Sequence, residues 1–421
     1  MPRPAKGTDI SLPKNHKPSC NQIHAFSEHN GIYMAALLII ILLITAGEYT
    51  SVYGEQPENV TREIVYIMVS CGFENVRAFA LDDALIVEYE NRIYLREKDA
   101  VKLIMARLTG EVGNIQKLIL VPKRDDVPLF QIAIVREDYQ PDTFRKIEIS
   151  KSTVSDGHIS TAQKYNSSAG KMDIILRPEW DFLLGRFNDP LIHRLAISPE
   201  YSLLLGKGIR CSAQTRFLLY DESNYKGKRV ALGKLCLDYT YRSSAPIFVN
   251  LGGGYFGDER YGLSSEALFF GWKDRIGVRG TAAWLGNMYY WEDTLYYTKM
   301  WKWTALAHLQ CRLPFWNVLI TTRVGRFLYM DYGVSSEITR FYRNSCLTIF
   351  AAKTDRGSIG GFEIQFLPYP RRHPKPRRVR VRLPTILGMR YRYLESEVGI
   401  PFSPGYDIDY AVENFWLMDI E

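Results

Sequence analysis

Histidine and cysteine are scarce in this chain of 421 residues, seven and six of them, and neither recurs at a metal-ligating spacing. The cysteines stand singly at 20, 71, 211, 236, 311 and 346 with no CxxC pair, which excludes zinc modules and disulfide-stapled frameworks. They read as isolated apolar residues. The longest apolar run, Ile32–Ala46, has fifteen residues. That is short of the about 20 a spanning helix needs, and it suits the apolar core of a secretory signal. A GxxxxGK[ST] phosphate loop is missing, and the net charge of +7 is too mild to argue by itself for nucleic acid.

What the chain has in quantity is alternation. From Ile209 to Leu219 the odd positions are Ile209, Cys211, Ala213, Thr215, Phe217 and Leu219, against Arg210, Ser212, Gln214, Arg216 and Leu218. From Ile276 to Trp284, Ile276, Val278, Gly280, Ala282 and Trp284 alternate with Gly277, Arg279, Thr281 and Ala283. Successive side chains of a strand point to opposite sides, so each segment has one lipid-compatible face and one polar face. A barrel with a wet interior requires that pattern; a soluble β-sandwich with one buried face shares its period. The run Phe248–Phe270 reads as a strand, a glycine-rich turn and a returning strand. Each limb is about as long as the roughly 9–11 residues of one tilted bilayer crossing.

Taken in order, residues 1–54 are a targeting segment, with Arg3, Lys6, Lys14 and Lys17 ahead of the apolar run. An uncleaved inner-membrane anchor is the alternative. Residues 55–147 change character and predict a small periplasmic α/β domain in the order α-β-β-α-β-β. Val60, Ile64, Ile67, Met68 and Cys71 share one helical face that Gly72 terminates. Strands follow at Val76–Leu81 and Ala84–Tyr89, then a helix Lys98–Leu108 and strands Lys117–Pro122 and Leu129–Arg136. Asp82, Asp83, Glu88 and Glu90 read as solvated turn and strand residues. Residues 148–172, rich in serine and glycine, read as a polar linker. Residues 173–421 hold about twelve strand candidates, the size of a medium barrel. The predicted fold is therefore mainly β, an antiparallel outer-membrane β-barrel behind a small α/β domain.

Several phrases of this second half carry a resemblance. LGRFNDP (184–190), GGGYFGDERYGL (252–263), VGRFLYMDYGVSSEITRFYRNSCLTIFAAKT (324–354) and SPGYDIDYAVENFW (403–416), with GFENVRAFALDDALIVEYENRIY (72–94) from the first half, resemble the YjbH/GfcD-type exopolysaccharide and capsule biosynthesis proteins of the Gram-negative outer membrane. The resemblance implies a barrel that works with polysaccharide export proteins, and it implies no catalytic residues and no cofactor.

Three constellations bear on function. Gly252–Gly254, followed by Asp258, Glu259 and Arg260, has no helix pattern after it, so bending or close approach is expected there rather than phosphate binding. Asp258, Glu259 and Glu266 are the candidate carboxylates of a hydrolase, which needs two within about 5–9.5 Å; ionic contacts are the competing reading. The run Trp284–Trp303, with Trp291, Trp301 and Trp303, suits either a membrane-interface belt or stacking on sugar faces. The run Tyr369–Arg382 offers Arg371, Arg372, Arg377, Arg378, Arg380 and Arg382 to acidic lipid headgroups or to an acidic polymer; a solvated turn is the plainer alternative. The expected function is non-enzymatic assistance to exopolysaccharide export, with polysaccharide, outer-membrane lipid and other export proteins as partners, and no nucleic acid. A polysaccharide-modifying hydrolase and a structural barrel without a glycan role are the alternatives.

Overall fold

The computed structural model describes residues 59–81, 84–108, 115–136, 144–150, 163–184, 191–221, 230–243, 247–271, 275–291, 294–393 and 398–402. The targeting segment, Asp82, Asp83 and the phrases 185–190 and 403–416 lie outside the described residues.

The first unit runs α1 (Asn59–Ser70), β1 (Glu74–Leu81), β2 (Ala84–Glu90), α2 (Glu97–Leu108), β3 (Lys117–Arg124), β4 (Val127–Pro128), β5 (Gln131–Arg136) and β6 (Phe144–Ser150). Residues three and four apart share a helix face, and Ile64 and Met68 of α1 with Val101, Ile104 and Leu108 of α2 form such stripes. They bury against Leu85, Val87 and Tyr89 of β2 and Leu118 and Leu120 of β3. The sheet order is β1-β2-β3-β5-β6, with β2 and β3 parallel. β6 extends this sheet to Ser150, into the segment read as linker. The far end of that segment is also docked: Tyr165 bridges Val76, Asn166 Nδ2 donates to the Phe73 carbonyl at 2.8 Å, and Lys171 pairs with Glu74. Its polar side chains satisfy buried groups of the domain rather than water, so composition alone misplaces it.

The second unit is one large antiparallel sheet: β7 (Met172–Leu184), β8 (Leu191–Gly206), β9 (Ile209–Asp221), β10 (Val230–Arg242), β11 (Ile247–Gly257), β12 (Arg260–Gly271), β13 (Ile276–Trp291), β14 (Thr294–Tyr297), β15 (Lys302–Leu313), β16 (Val318–Arg326), β17 (Tyr332–Phe341), β18 (Ser345–Thr354), β19 (Gly357–Phe366), β20 (Val379–Arg382) and β21 (Leu387–Tyr393). Neighbours pair in chain order except that β14 folds back on β13 and β20 lies parallel against β7. Residues of β21 come within 8 Å of β7, Cα to Cα, but among the described residues no ladder joins the two. Among the described residues, the sheet's ends thus approach each other without a hydrogen-bonded closure.

Its two faces are inverted relative to a water-soluble sheet. On β15, Trp303, Ala305, Ala307 and Leu309 are exposed while Thr304, Leu306, His308 and Gln310 are buried. On β13, Val278, Gly280, Ala282 and Trp284 are exposed while Gly277, Arg279, Thr281 and Ala283 are buried. The buried face joins its polar groups across strands: Arg279 Nε to Glu266 Oε1 at 2.8 Å, Arg323 to Glu337 at 2.5 Å, Asn250 Nδ2 to Thr240 Oγ1 at 2.9 Å. Fully burying one large apolar side chain is worth about 1.5–3 kcal/mol. This sheet leaves Leu309 at 54%, Val278 at 50% and Ile349 at 60% exposure, so that contribution is not made on the apolar face by the chain itself.

Of the two roles read for the glycine run, bending or close approach, the structure shows close approach. Gly254 has φ +141°, and a Cβ there would lie 2.2 Å from the Leu235 carbonyl oxygen; opposite it, a Cβ on Gly262 would lie 2.0 Å from that of Trp284. Only glycine permits β10, β11, β12 and β13 to pass so closely at this point.

Candidate functional site: a charged chamber under the docked domain

The first unit docks at one end of the large sheet, the end that carries the β8–β9, β10–β11, β12–β13, β17–β18 and β19–β20 connections. Phe248, Leu268 and Phe270 of the buried face join Phe130, Ile132 and Ile134 in one core. Gly208, between β8 and β9, donates its N–H to the Asp125 carbonyl at 2.7 Å, and Arg210 pairs with the Asp125 carboxylate. Arg242 Nη1 donates to the Pro128 carbonyl at 3.3 Å and its guanidinium lies 4.6 Å from the Phe248 ring centroid. Ile93 and Leu95 pair by backbone hydrogen bonds with His373 and Arg371.

Between this domain and the buried face of β7–β10 lies a cavity of about 540 Å³. Asp173, at the start of β7, organises one wall. Its carboxylate accepts from Arg380 Nε at 2.9 Å and Nη2 at 2.6 Å, from Arg382 Nε at 2.8 Å and from Arg92 Nη2 at 2.8 Å. Arg92 reaches on to Glu74 Oε2 at 2.8 Å, and burial of the Arg92 guanidinium is outweighed by Asp173 and Glu74, which hold its pKa above the usual arginine range. His373 lies beside Arg382, its Nε2 3.5 Å from Nη1; burial, then Arg382 and Arg380, push its pKa down to about 3, so the imidazole is neutral.

Glu90 occupies the domain side. It accepts from the backbone N–H of Asp125 at 3.1 Å and of Asp126 at 3.3 Å, from Ser168 Oγ at 3.1 Å, and from Asn75. Asp125 and Asp126 hold φ of +55° and +60°, a turn conformation that aims both N–H groups at one oxygen pair. Burial, then the carboxylate of Asp125, raise the Glu90 pKa to about 7 against the pull of Arg92. A carboxyl whose folded pKa exceeds its unfolded value favours the fold in its protonated form. Its stabilisation is therefore complete below about pH 4.5 and is lost as pH rises through about 7. The melting midpoint of the docked domain is expected to fall between pH 5 and pH 8, and Glu90→Gln to flatten that slope; an unchanged slope in the variant would remove Glu90 as its source.

The structure corrects the reading of Glu88 and Glu90 as solvated residues. Both are buried, Glu88 against Lys123, because β2 is an inner strand covered on both faces. It also divides the predicted arginines. Arg380 and Arg382 lie on β20 and are engaged with Asp173, whereas the side chains of Arg371, Arg372, Arg377 and Arg378 are exposed.

The predicted tryptophans lie at the opposite end of the sheet. Trp301 and Trp303 are on its exposed face, with the Arg326 guanidinium 4.0 Å from the Trp303 ring centroid, and Trp291 stands opposite Thr294 in the β13–β14 ladder. The two predicted sets are thus not brought together.

Neither are the carboxylates. Asp258 and Glu259 form the β11–β12 turn while Glu266 sits in β12 against Arg279, seven residues or roughly 23 Å further along, beyond the spacing of a hydrolytic pair. Among the described residues no group of three His, Cys, Asp or Glu side chains stands where it could hold a metal ion. Sequence reasoning missed Asp173 and Arg92; Arg210 stood on the polar face read for Ile209–Leu219, but nothing in its strand pattern pointed to Asp125 as its partner.

No protein-family model matches the chain, and no curated protein matches it either.

Proposed function

We propose that this chain is an outer-membrane β-barrel whose N-terminal domain sits in the periplasmic mouth, and that it assists exopolysaccharide export or surface assembly without doing covalent chemistry. The observation that carries the barrel is the inversion of faces: apolar side chains outward on strand after strand, and Glu266, Arg279, His308, Gln310 and Arg323 on the sheltered side. In lipid that arrangement places each group in its proper medium.

Exposed aromatics at both ends of the strands support the same reading, with Trp284, Trp301, Trp303 and Tyr332 at one end and Phe315, Trp316, Tyr342 and Phe366 at the other. From Trp303 to Leu313 is ten residues, roughly 33 Å along β15, or roughly 25 Å across at the ~40° tilt of membrane strands. That matches the height of an outer-membrane apolar band between its aromatic girdles. Phe315 and Trp316, on the short turn between β15 and β16, then sit at the headgroup level as lipid contacts.

The polymer enters the reading through the resemblance to YjbH/GfcD-type proteins, and export proteins enter with it. A polar interior with a charged chamber at one mouth suits passage or capture of a hydrated chain, and the exposed Arg371, Arg372, Arg377 and Arg378 face the side where such a chain would arrive. Separation of inner and outer membranes, followed by electrophoresis with and without boiling, tests the barrel. The expected result is a heat-modifiable band in the outer membrane; recovery in the soluble or inner-membrane fraction would overturn the proposal.

A further inference from the structure

The chamber has a wall that the ionic network around Asp173 does not use up. Strand register sets its side chains in rows on the buried face of β8, β9 and β10: Glu200, Gln214 and Lys234 in the first, Ser202 and Ser212 in the second, Leu204, Arg210 and Asp238 in the third. Arg177 reaches Glu200 from β7 at 2.5 Å. All of these line the cavity. Ser212 is 1% exposed, yet its hydroxyl has no hydrogen-bond partner. A buried hydroxyl without a partner is costly to the fold, so a polar group set opposite it has a built place.

The chemistry of the wall narrows what that group belongs to. Cations exceed carboxylates around the cavity, eight lysines and arginines against six aspartates and glutamates, which favours an anion. The first and third rows each set one carboxylate beside one cation, so a bare sulfate, which has no protons to give, would leave Glu200 and Asp238 facing its oxygens. A ligand with one carboxylate and several hydroxyls satisfies both, its carboxylate held by Lys234 and its hydroxyls shared among Glu200, Asp238, Ser202 and Ser212. The volume of about 540 Å³ lies within the about 300–1,000 Å³ of small-molecule sites.

We infer that this chamber is a binding site for an acidic saccharide of uronate type, a short stretch of polymer rather than a free inorganic anion. The inference rests on the export reading above and names the class of polymer that reading leaves open.

The test is calorimetric titration of the purified full-length protein in detergent with tri-galacturonate, with maltotriose as a neutral trisaccharide, and with sulfate. Tri-galacturonate is expected to bind with an affinity that falls as salt rises, and maltotriose to bind at least tenfold more weakly. Lys234→Gln is expected to weaken tri-galacturonate about tenfold and Ser212→Ala about threefold. Lys353→Gln, on the exposed face of β18, is expected to change nothing.

Equal binding of maltotriose, sulfate binding as tight as tri-galacturonate, or chamber variants that bind like the parent would each overturn the inference. Heat-modifiable outer-membrane protein that binds no tri-galacturonate would end this inference and leave the barrel standing. Protein absent from the outer membrane would end the barrel, whatever it binds.

Discussion

Ile349→Arg is expected to deplete the folded protein, at a cost of about 2–4 kcal/mol if the position meets the middle of a bilayer. Ile349 lies midway along β18, is 60% exposed, and is flanked on the same face by Leu347 and Ala351. In water the same change at so exposed a site would fall within about 0.5 kcal/mol, so the two media give opposite outcomes for one substitution. Phe217→Arg, on the exposed face of β9, should behave alike. The measurement is the fraction of heat-modifiable protein in outer membranes, with urea unfolding of the purified variant in bilayers as the quantitative check. Parent-like stability for both variants would return the exposed face to water and remove the barrel.

Asp173→Asn is expected to be the most damaging change on the sheltered side. Its carboxylate is buried and holds Arg380, Arg382 and Arg92 at once, and the asparagine leaves Arg380 and Arg382 without this counter-ion and Arg92 with Glu74 alone. Removing one partner of a buried ion pair costs about 3–5 kcal/mol. The loss falls on an interface that joins β7, β20 and the N-terminal domain, because Arg92 belongs to that domain and Arg380 also donates to the Pro374 carbonyl at 3.1 Å. The expected readout is faster tryptic cleavage at Arg371, Arg372, Arg377 and Arg378, which are exposed but held in place by the pairing of 371–373 with 93–95. Arg372→Gln, which removes an exposed charge and no buried partner, is expected to leave cleavage at the other sites unchanged. A variant Asp173→Asn that resists trypsin like the parent would show that the aspartate does not hold the domain in place.

Most elements of the chain were legible because each rests on a local period; β6, β7, β14 and β20 were not. Alternation over Ile276–Trp284 assigned Val278 and Trp284 to one face and Arg279 and Thr281 to the other, and the strand β13 keeps that division. The helical stripe Ile64, Ile67, Met68 placed α1, and Gly72, at φ +94°, follows it. Glycine at 252–254 announced a close approach, and at Gly254 no other residue tolerates the Leu235 carbonyl oxygen at such range. Periodicity by itself left open which face meets water, since a sandwich and a barrel share a period of two.

The burial of Glu90, the docking of residues 165–171 and the division of the arginine run are a different kind of fact. Asp173 meets Arg380 across 207 residues of chain, Glu90 meets Ser168 across 78, and Arg210 meets Asp125 across 85. A charged side chain in a polar stretch looks the same in sequence whether it ends in solvent or against a counter-ion, because charge and spacing are local while desolvation depends on what else folds over it. The sequence by itself therefore determined most of the strands and helices and which of their residues share a face, though not β6 and β7, which begin or end in the segment read as linker. The tertiary structure alone decided which charges are buried together, and so where the chamber is.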